Sequence, residues 1–336
     1  MQKDGRAHAG GYVLSCDKGL KQQRGECEMH KYVFKRLLML IPVILGVSFL
    51  VFFIMSLAPG DTARSILGET APQEAVEALR EELGLNDPVL VRYYHYMVDL
   101  LHGDLGESYK SGQPVFSEVM ARFPATLKLA FWGMLFAVTL SIPIGIISAT
   151  KQYSITDSVS MVLALLGVAT PNFWLGLMLI IGFSLHLKWF PSGGDAGWRA
   201  LVLPVITLGT GCMASITRIT RSSMLEVVRQ DYIRTAKAKG VSSRVVIYKH
   251  ALKNALIPVV TVVGLQFGSL LGGAVLTESV FSWPGVGTYL VNSIKAKDTP
   301  AVLGCVIIFC ICFSIVNLVV DILYAYIDPR IKSKYK

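Results

Sequence analysis

Residues 37–58 read LLMLIPVILGVSFLVFFIMSLA. No residue in this run carries a charge, and it is longer than the roughly 20 residues a helix needs to cross a bilayer. It also exceeds a secretory signal's apolar core of about 7–15 residues. Pro59-Gly60-Asp61 follows it, not a small-x-small cleavage site. The run therefore predicts an uncleaved first span, and Lys31, Lys35 and Arg36 just before it hold the N-terminus on the cytoplasmic side. Five further apolar runs follow, at about 127–149, 159–187, 201–219, 255–276 and 302–327. The second contains Pro143 and Gly145, and the third is interrupted at Pro171-Asn172. The expectation is an all-α membrane protein of six transmembrane helices with both termini in the cytoplasm, a multi-pass protein of the plasma (inner) membrane.

Composition agrees. In 336 residues, 53% are hydrophobic, only 16% are charged, and mean hydropathy is +0.53. Soluble domains carry about 25% charged residues, so a soluble enzyme, a disordered chain and a disulfide scaffold are all excluded. The net charge of +9 does not mark a nucleic-acid binder, because the cations lie between apolar runs and not in one stripe. No nucleic-acid partner is expected; the lipid bilayer is. Cys16, Cys27, Cys212, Cys305, Cys310 and Cys312 show no C-x-x-C spacing, and they read as small core or lipid-facing residues with no metal or disulfide.

The loops divide by charge. Residues 59–123 hold five Lys/Arg against eleven Asp/Glu, a net of −6, and residues 221–253 hold eight Lys/Arg against two acids, a net of +6. The first is expected outside and the second in the cytoplasm. In the outer loop, Thr70-Ala71-Pro72-Gln73 resembles a capping box with an early proline, opening a surface helix over Gln73–Leu85. Arg92–Leu101 reads as a second helix, with Tyr93, Tyr94 and Tyr96 suited to a membrane interface. Residues 1–30 form a polar N-terminal extension, and residues 31–336 the transmembrane domain. Met29 stands directly before the basic cluster, which makes residues 1–28 an upstream extension of the translated frame by hypothesis; a native mass that includes them would overturn it.

Catalytic chemistry is hard to place. The chain has no P-loop, no H-E-x-x-H and no G-x-S-x-G. His95 and His102 share a helix face but have no third ligand, so no metal site and no catalytic residue is assigned. The spans are nearly free of ionisable groups; Asp321 is the main exception, read as capping a helix or pairing with an Arg. An ion-driven secondary carrier would need more intramembrane charge than this. A membrane sensor would need a cytoplasmic signalling domain, and a membrane enzyme a cluster of His, Asp or Glu. The energy source is expected to be external to the chain.

The segment Asp231-Tyr232-Ile233-Arg234-Thr235-Ala236-Lys237-Ala238-Lys239-Gly240 predicts a short helix that Gly240 ends. Ala236 and Ala238 would allow close approach, and Arg234, Lys237 and Lys239 could pair with acids on a partner. By itself the segment reads equally well as a solvated positive loop. In the fifth span, Gly264, Gly268 and Gly272 lie four residues apart and read first as a packing seam, then as a wall of a translocation path. Phe173 and Trp174, after Pro171, are further path candidates. Ser282-Trp283-Pro284-Gly285 marks an outer turn that meets a partner, seals the outer end or simply re-enters.

The 231–240 segment resembles the cytoplasmic "EAA" loop of ABC-transporter permeases. Arg234-Thr235-Ala236 stands at the family's Glu-Ala-Ala and Gly240 at its glycine; the Glu is lacking, and Lys253 stands where many members have Pro. These departures resemble the oligopeptide/dipeptide/nickel branch. So do Leu57-Ala58-Pro59-Gly60-Asp61, Gly103-Asp104-Leu105-Gly106-Glu107-Ser108, Arg122-Phe123-Pro124-Ala125-Thr126-Leu127, Pro171-Asn172-Phe173-Trp174-Leu175-Gly176 and Glu278-Ser279-Val280-Phe281-Ser282-Trp283-Pro284-Gly285-Val286-Gly287. The resemblance covers about Met29 to Arg330 and matches the first permease subunit of a binding-protein-dependent importer.

It implies a type I importer permease fold and a second homologous permease. It also implies two ATPase subunits that hold ATP and Mg, and an extracytoplasmic substrate-binding protein. No cofactor is expected on this chain, which is itself not an enzyme. It implies Asp231, Arg234, Thr235, Ala236, Lys237, Ala238, Lys239 and Gly240 as the ATPase-coupling surface. Di- or oligopeptides are the expected substrate, with nickel, a metal chelate or glutathione as alternatives.

Overall fold

The computed structural model describes residues 9–327, with side-chain surroundings given for residues 33–323 apart from Gly273. Residues 1–8 and the basic tail 328–336 lie outside the described residues, as do the side chains of Cys16 and Cys27. The described chain is helical throughout. In order, the helices are α1 (Ala9–Leu57), α2 (Thr62–Leu67), α3 (Gln73–Glu82), α4 (Val89–Leu101), α5 (Val115–Thr150), α6 (Ile155–Ala169) and α7 (Asn172–Leu179). After them come α8 (Trp198–Val228), α9 (Asp231–Ala238), α10 (Ser243–Val245), α11 (Leu252–Val280), α12 (Val286–Ala296) and α13 (Thr299–Ile327). Wide π-type turns extend α7 over Ile180–His186 and join α10 to α11 over Val246–Ala251.

Among the described residues, five stretches are long and apolar enough to cross a membrane, in α1, α5, α8, α10–α11 and α13. The pair α6 and α7 makes a sixth if counted as one span; it bends by 102° at Thr170-Pro171, where the sequence places its interruption. Proline lacks an N–H and disfavours a helical residue before it, so the break falls there. Pro42, Pro124, Pro143, Pro204 and Pro258, by contrast, sit inside continuous helices.

The helices overrun the apolar runs. α5 begins at Val115, so the polar segment after the first span is shorter than 59–123. α8 continues through Arg221 to Val228, so the first part of the basic 221–253 segment extends the fourth span and is not loop. Polar termini of this kind are invisible to a hydropathy reading. The expected capping box at Thr70 does not form. Pro72 is the N-cap residue of α3 and makes no side-chain bond there. Gln73 instead accepts from Arg64 Nη2 at 2.6 Å and donates to Glu77 at 3.2 Å.

α5 and α8 form the centre. Their backbones approach where glycines leave room: a Cβ on Gly209 would stand 2.7 Å from the Gly133 carbonyl, and one on Gly145 would stand 2.6 Å from Thr220 Cβ. Small residues at helix crossings are how membrane helices gain packing without a hydrophobic drive between them. Leu129, Met134, Leu208, Ile216, Val259, Leu270 and Trp283 fill the middle of the bundle. α1 packs on α13. Arg36 there pairs with Asp321 at 2.7 Å, so the intramembrane acid singled out in the sequence is Arg-paired.

Candidate functional site

α9 lies between the spans α8 and α11 at one end of the bundle. Eight residues are too few for a stable isolated helix. Its stability comes from Ile233, which is fully buried in a cluster with Ile146 and Ala149 of α5, Met224 of α8, and Val246, Ala251 and Ala255. Burying such a side chain contributes roughly 1.5–3 kcal/mol. Ala236, one turn on, packs on the same cluster. This corrects the expectation that Ala236 is offered outward for close approach: the i, i+3 relation to Ile233 turns it toward the bundle. Ala238, by contrast, is exposed.

The remaining residues form the free face. Asp231, Arg234, Thr235, Lys237, Lys239 and Gly240 are all exposed. Arg234 and Asp231 stand 3.7 Å apart at high exposure, which contributes little to stability. Gly240 has φ +77°, the left-handed region that favours glycine after a helix, and its N–H bonds the Lys237 carbonyl. Tyr232 receives a 2.7 Å bond from Asn254 Nδ2 of α11 and steadies the helix from the side. The result is a short cationic ledge, held by one apolar peg and open to a partner.

The opposite end is tied together by bonds between distant segments. Trp283 is fully buried, and its Nε1–H donates to the Ala125 carbonyl at 3.0 Å, while Lys128 Nζ lies 5.2 Å from its ring centroid. Lys128 also pairs with Asp195 at 3.0 Å. The Gly194 N–H donates to the Phe281 carbonyl at 2.9 Å. Glu278, fully buried, accepts from the Gly287 and Thr288 N–H groups at 2.7 and 3.2 Å and so caps α12. The turn 282–285 thus ties three segments together. Replacing Trp283 with Phe removes the indole N–H and leaves a void, at a cost of about 2 kcal/mol. A lower melting temperature of the purified protein is the expected result; an unchanged one rejects the tie.

Asp298, also buried, organises the polar segment that precedes α5. Its carboxylate accepts from Ser108 Oγ at 2.5 Å, Tyr109 N at 3.1 Å and Lys110 N at 3.3 Å, and from Ala301 N at 3.3 Å in the first turn of α13. Burial pushes the Tyr109 phenol above its ordinary range against the pull of the Arg92 guanidinium. Nothing in the sequence signals this convergence, because Asp298 lies 190 residues from Ser108.

The path candidates divide. A Cβ on Gly264 would collide with Val320, and one on Gly268 would stand 3.2 Å from the Phe313 ring. These two glycines therefore admit α13 against α11. Gly272 has open space where a Cβ would sit. Phe173 and Trp174 are about half exposed on α7. The structure does not gather the five into one site. His102 bonds the Val98 carbonyl through Nδ1, and among the described residues no group of three or more His, Cys, Asp or Glu is placed to hold a metal.

Residues 141–333 match the model of the family described as binding-protein-dependent transport system inner membrane component. Residues 29–130 match the model of that component's N-terminal part. The chain belongs to this family. Among its relatives is the dipeptide transport system permease protein DppB of Alkalihalophilus pseudofirmus, 47% identical over 332 residues, covering 90% of this chain and all of that protein. The glutathione transport system permease protein GsiC of Salmonella choleraesuis is 45% identical over 306 residues, covering 91% of this chain and all of its own. In fold, the chain is similar to a solved inward-facing structure of the MetNI methionine ABC transporter (TM-score 0.53, 16% identity, 63% of this chain and 97% of that one). The protein is an ABC importer permease of the dipeptide/oligopeptide family.

Proposed function

We propose that this chain is one of two homologous permease subunits in an ATP-driven importer of di- or oligopeptides, and that α9 is the surface on which an ATPase subunit docks. The observation that carries the docking reading is α9 itself: a helix of eight residues, pegged by Ile233 with Ala236 beside it, whose remaining face is exposed and mostly cationic. It stands between two spans, where a push is passed directly to both. In this reading the α9 end faces the cytoplasm, in keeping with the positive charge of 221–253. The acidic far end faces outward and receives a substrate-binding protein. ATP and Mg reside on the ATPases, whose closure moves α9. Coupling of this kind requires that α9 make different contacts in the two ATPase states.

The peptide assignment rests on likeness to the dipeptide permease, and glutathione, itself a small peptide, is the second reading because of the glutathione permease. Uptake by the complete transporter with its binding protein decides between them. ATP-dependent uptake of labelled dipeptides, not competed by glutathione or by nickel, is expected. Uptake of glutathione or nickel with indifference to dipeptides would reassign the substrate. Uptake without ATP would remove the ABC mechanism.

A further inference from the structure

Ser148 and Asp157, both buried, and the partly buried Arg221 form a cluster beside the α9 peg, contributed by three spans. Arg221 of α8 binds Asp157 of α6 through two parallel bonds, Nε to Oδ1 and Nη2 to Oδ2, each 2.7 Å. Ser148 of α5 donates its hydroxyl to the same Oδ1 and receives Arg221 Nε at 3.1 Å. The Tyr153 N–H reaches Oδ2 at 3.1 Å. Both carboxylate oxygens are satisfied, and the Asp157 side chain is 6% exposed. Such a paired fork fixes direction as well as distance.

The placement of the cluster is telling. Asp157 is the single buried residue of α6. Farther along, α6 reaches α8 at Gly167, where a Cβ would stand 3.5 Å from the Thr210 carbonyl. α6 thus meets α8 at both ends, and Asp157, its one buried side chain, is the point where it is tied by charge as well as by packing. The partners of Asp157 are next to the pocket of Ile233: Ser148 directly precedes Ala149, and Arg221 lies one turn before Met224. α6 in turn leads into α7 through the 102° bend.

We infer that the Ser148–Asp157–Arg221 cluster is the latch through which movement of α9 reaches the broken span α6–α7, with Asp157 and Arg221 as positioning residues. The inference rests on α9 being the ATPase-docking surface. A displaced α9 pushes Ile233 against α5 and α8, and these carry Ser148 and Arg221. The bidentate pair then pulls the start of α6 with them, and the bend converts that pull into rotation of α7. Removing the Arg221 charge strands the buried Asp157 carboxylate, and removing the Asp157 charge leaves the partly exposed Arg221 without its acceptor; either change uncouples α6 from the pair.

The test uses the complete transporter in proteoliposomes with its binding protein, and with labelled dialanine or labelled glutathione, whichever the wild type takes up. Two quantities are read: ATPase subunits retained on the permease, and substrate moved per ATP hydrolysed. Asp157→Asn and Arg221→Lys are expected to retain the ATPases and to lower substrate per ATP about 10-fold, within the range by which residues along a coupling route act. Ser148→Ala, which leaves both charges, is expected to lower the ratio less. The exchanged pair Asp157→Arg with Arg221→Asp is expected to recover part of the loss. An unchanged ratio in Asp157→Asn overturns the latch. If Asp157→Asn does not assemble, an unchanged ratio in Ser148→Ala and Arg221→Lys overturns it equally, and loss of assembly in all three reduces the cluster to a brace and overturns it. The doubly reversed Arg234→Glu with Lys237→Glu is run alongside. Full ATPase retention there would sink the docking reading itself, whatever the latch variants do.

Discussion

Replacing Ile233 with Ala is expected to leave the protein inserted in the membrane and to strip it of its ATPase subunits. The scaffold of spans does not depend on α9, which lies outside them. α9 depends on the scaffold, because eight residues cannot hold a helix in water against the cost of nucleation. Its stability comes from the fully buried Ile233 among Ile146, Ala149, Met224, Val246, Ala251 and Ala255. Truncating a buried isoleucine to alanine costs roughly 2–5 kcal/mol, as much as such a helix has. The ledge that presents Arg234, Lys237 and Lys239 then frays. Co-purification of the ATPases should fall at least about 10-fold, since 1.4 kcal/mol already corresponds to that factor. Ile233→Val, which keeps most of the peg, should retain them. Normal co-purification with Ile233→Ala would mean that docking uses another surface.

The second large effect is expected at the opposite end. Asp298→Ala removes one carboxylate and leaves four donors without an acceptor: the Ser108 hydroxyl and the N–H groups of Tyr109, Lys110 and Ala301. Hydrogen bonds to a charged acceptor contribute about 1.5–3 kcal/mol each, and they do not add in full. A total near 3–4 kcal/mol is expected. It acts on the turn 106–114, which is otherwise held by one backbone bridge between Glu107 and Pro114 and a few local bonds. Lys110 is exposed, so trypsin reports the release: cleavage after Lys110 should accelerate at least about 10-fold. Asp298→Asn, which keeps an acceptor oxygen but no charge, should fall between. Equal cleavage rates in all three proteins would show that the turn stands without Asp298.

Much of the membrane architecture is legible in the chain because it depends on local composition. A run such as 37–58 has no soluble alternative, and Pro171-Asn172 interrupts the third run where the structure bends. α9 is legible by a different route. Its spacing predicts a short helix; that such a helix would dock a partner is what the ordered motifs from Leu57 to Gly287 imply and not what its spacing says. Asp321 shows what partial legibility looks like, since its pairing with an Arg was foreseeable and the identity of Arg36 was not.

What the sequence by itself determined is the set of spans, the break in the third, the position of α9 and the family. The spans and the break follow from the free energy of a short stretch in lipid or water; the place of α9 and the family follow from motifs that recur in order along the chain. What only the tertiary structure decided is which of those residues act together. Ala236 turns inward because Ile233 does. Trp283 is a buried tie and not an exposed contact. Gly264 and Gly268 admit a neighbouring helix. Asp157 meets Arg221 across 64 residues, and Asp298 meets Ser108 across 190. The reason is physical: a buried charge must find its partners wherever the packing brings them, and their distance along the chain leaves no local trace.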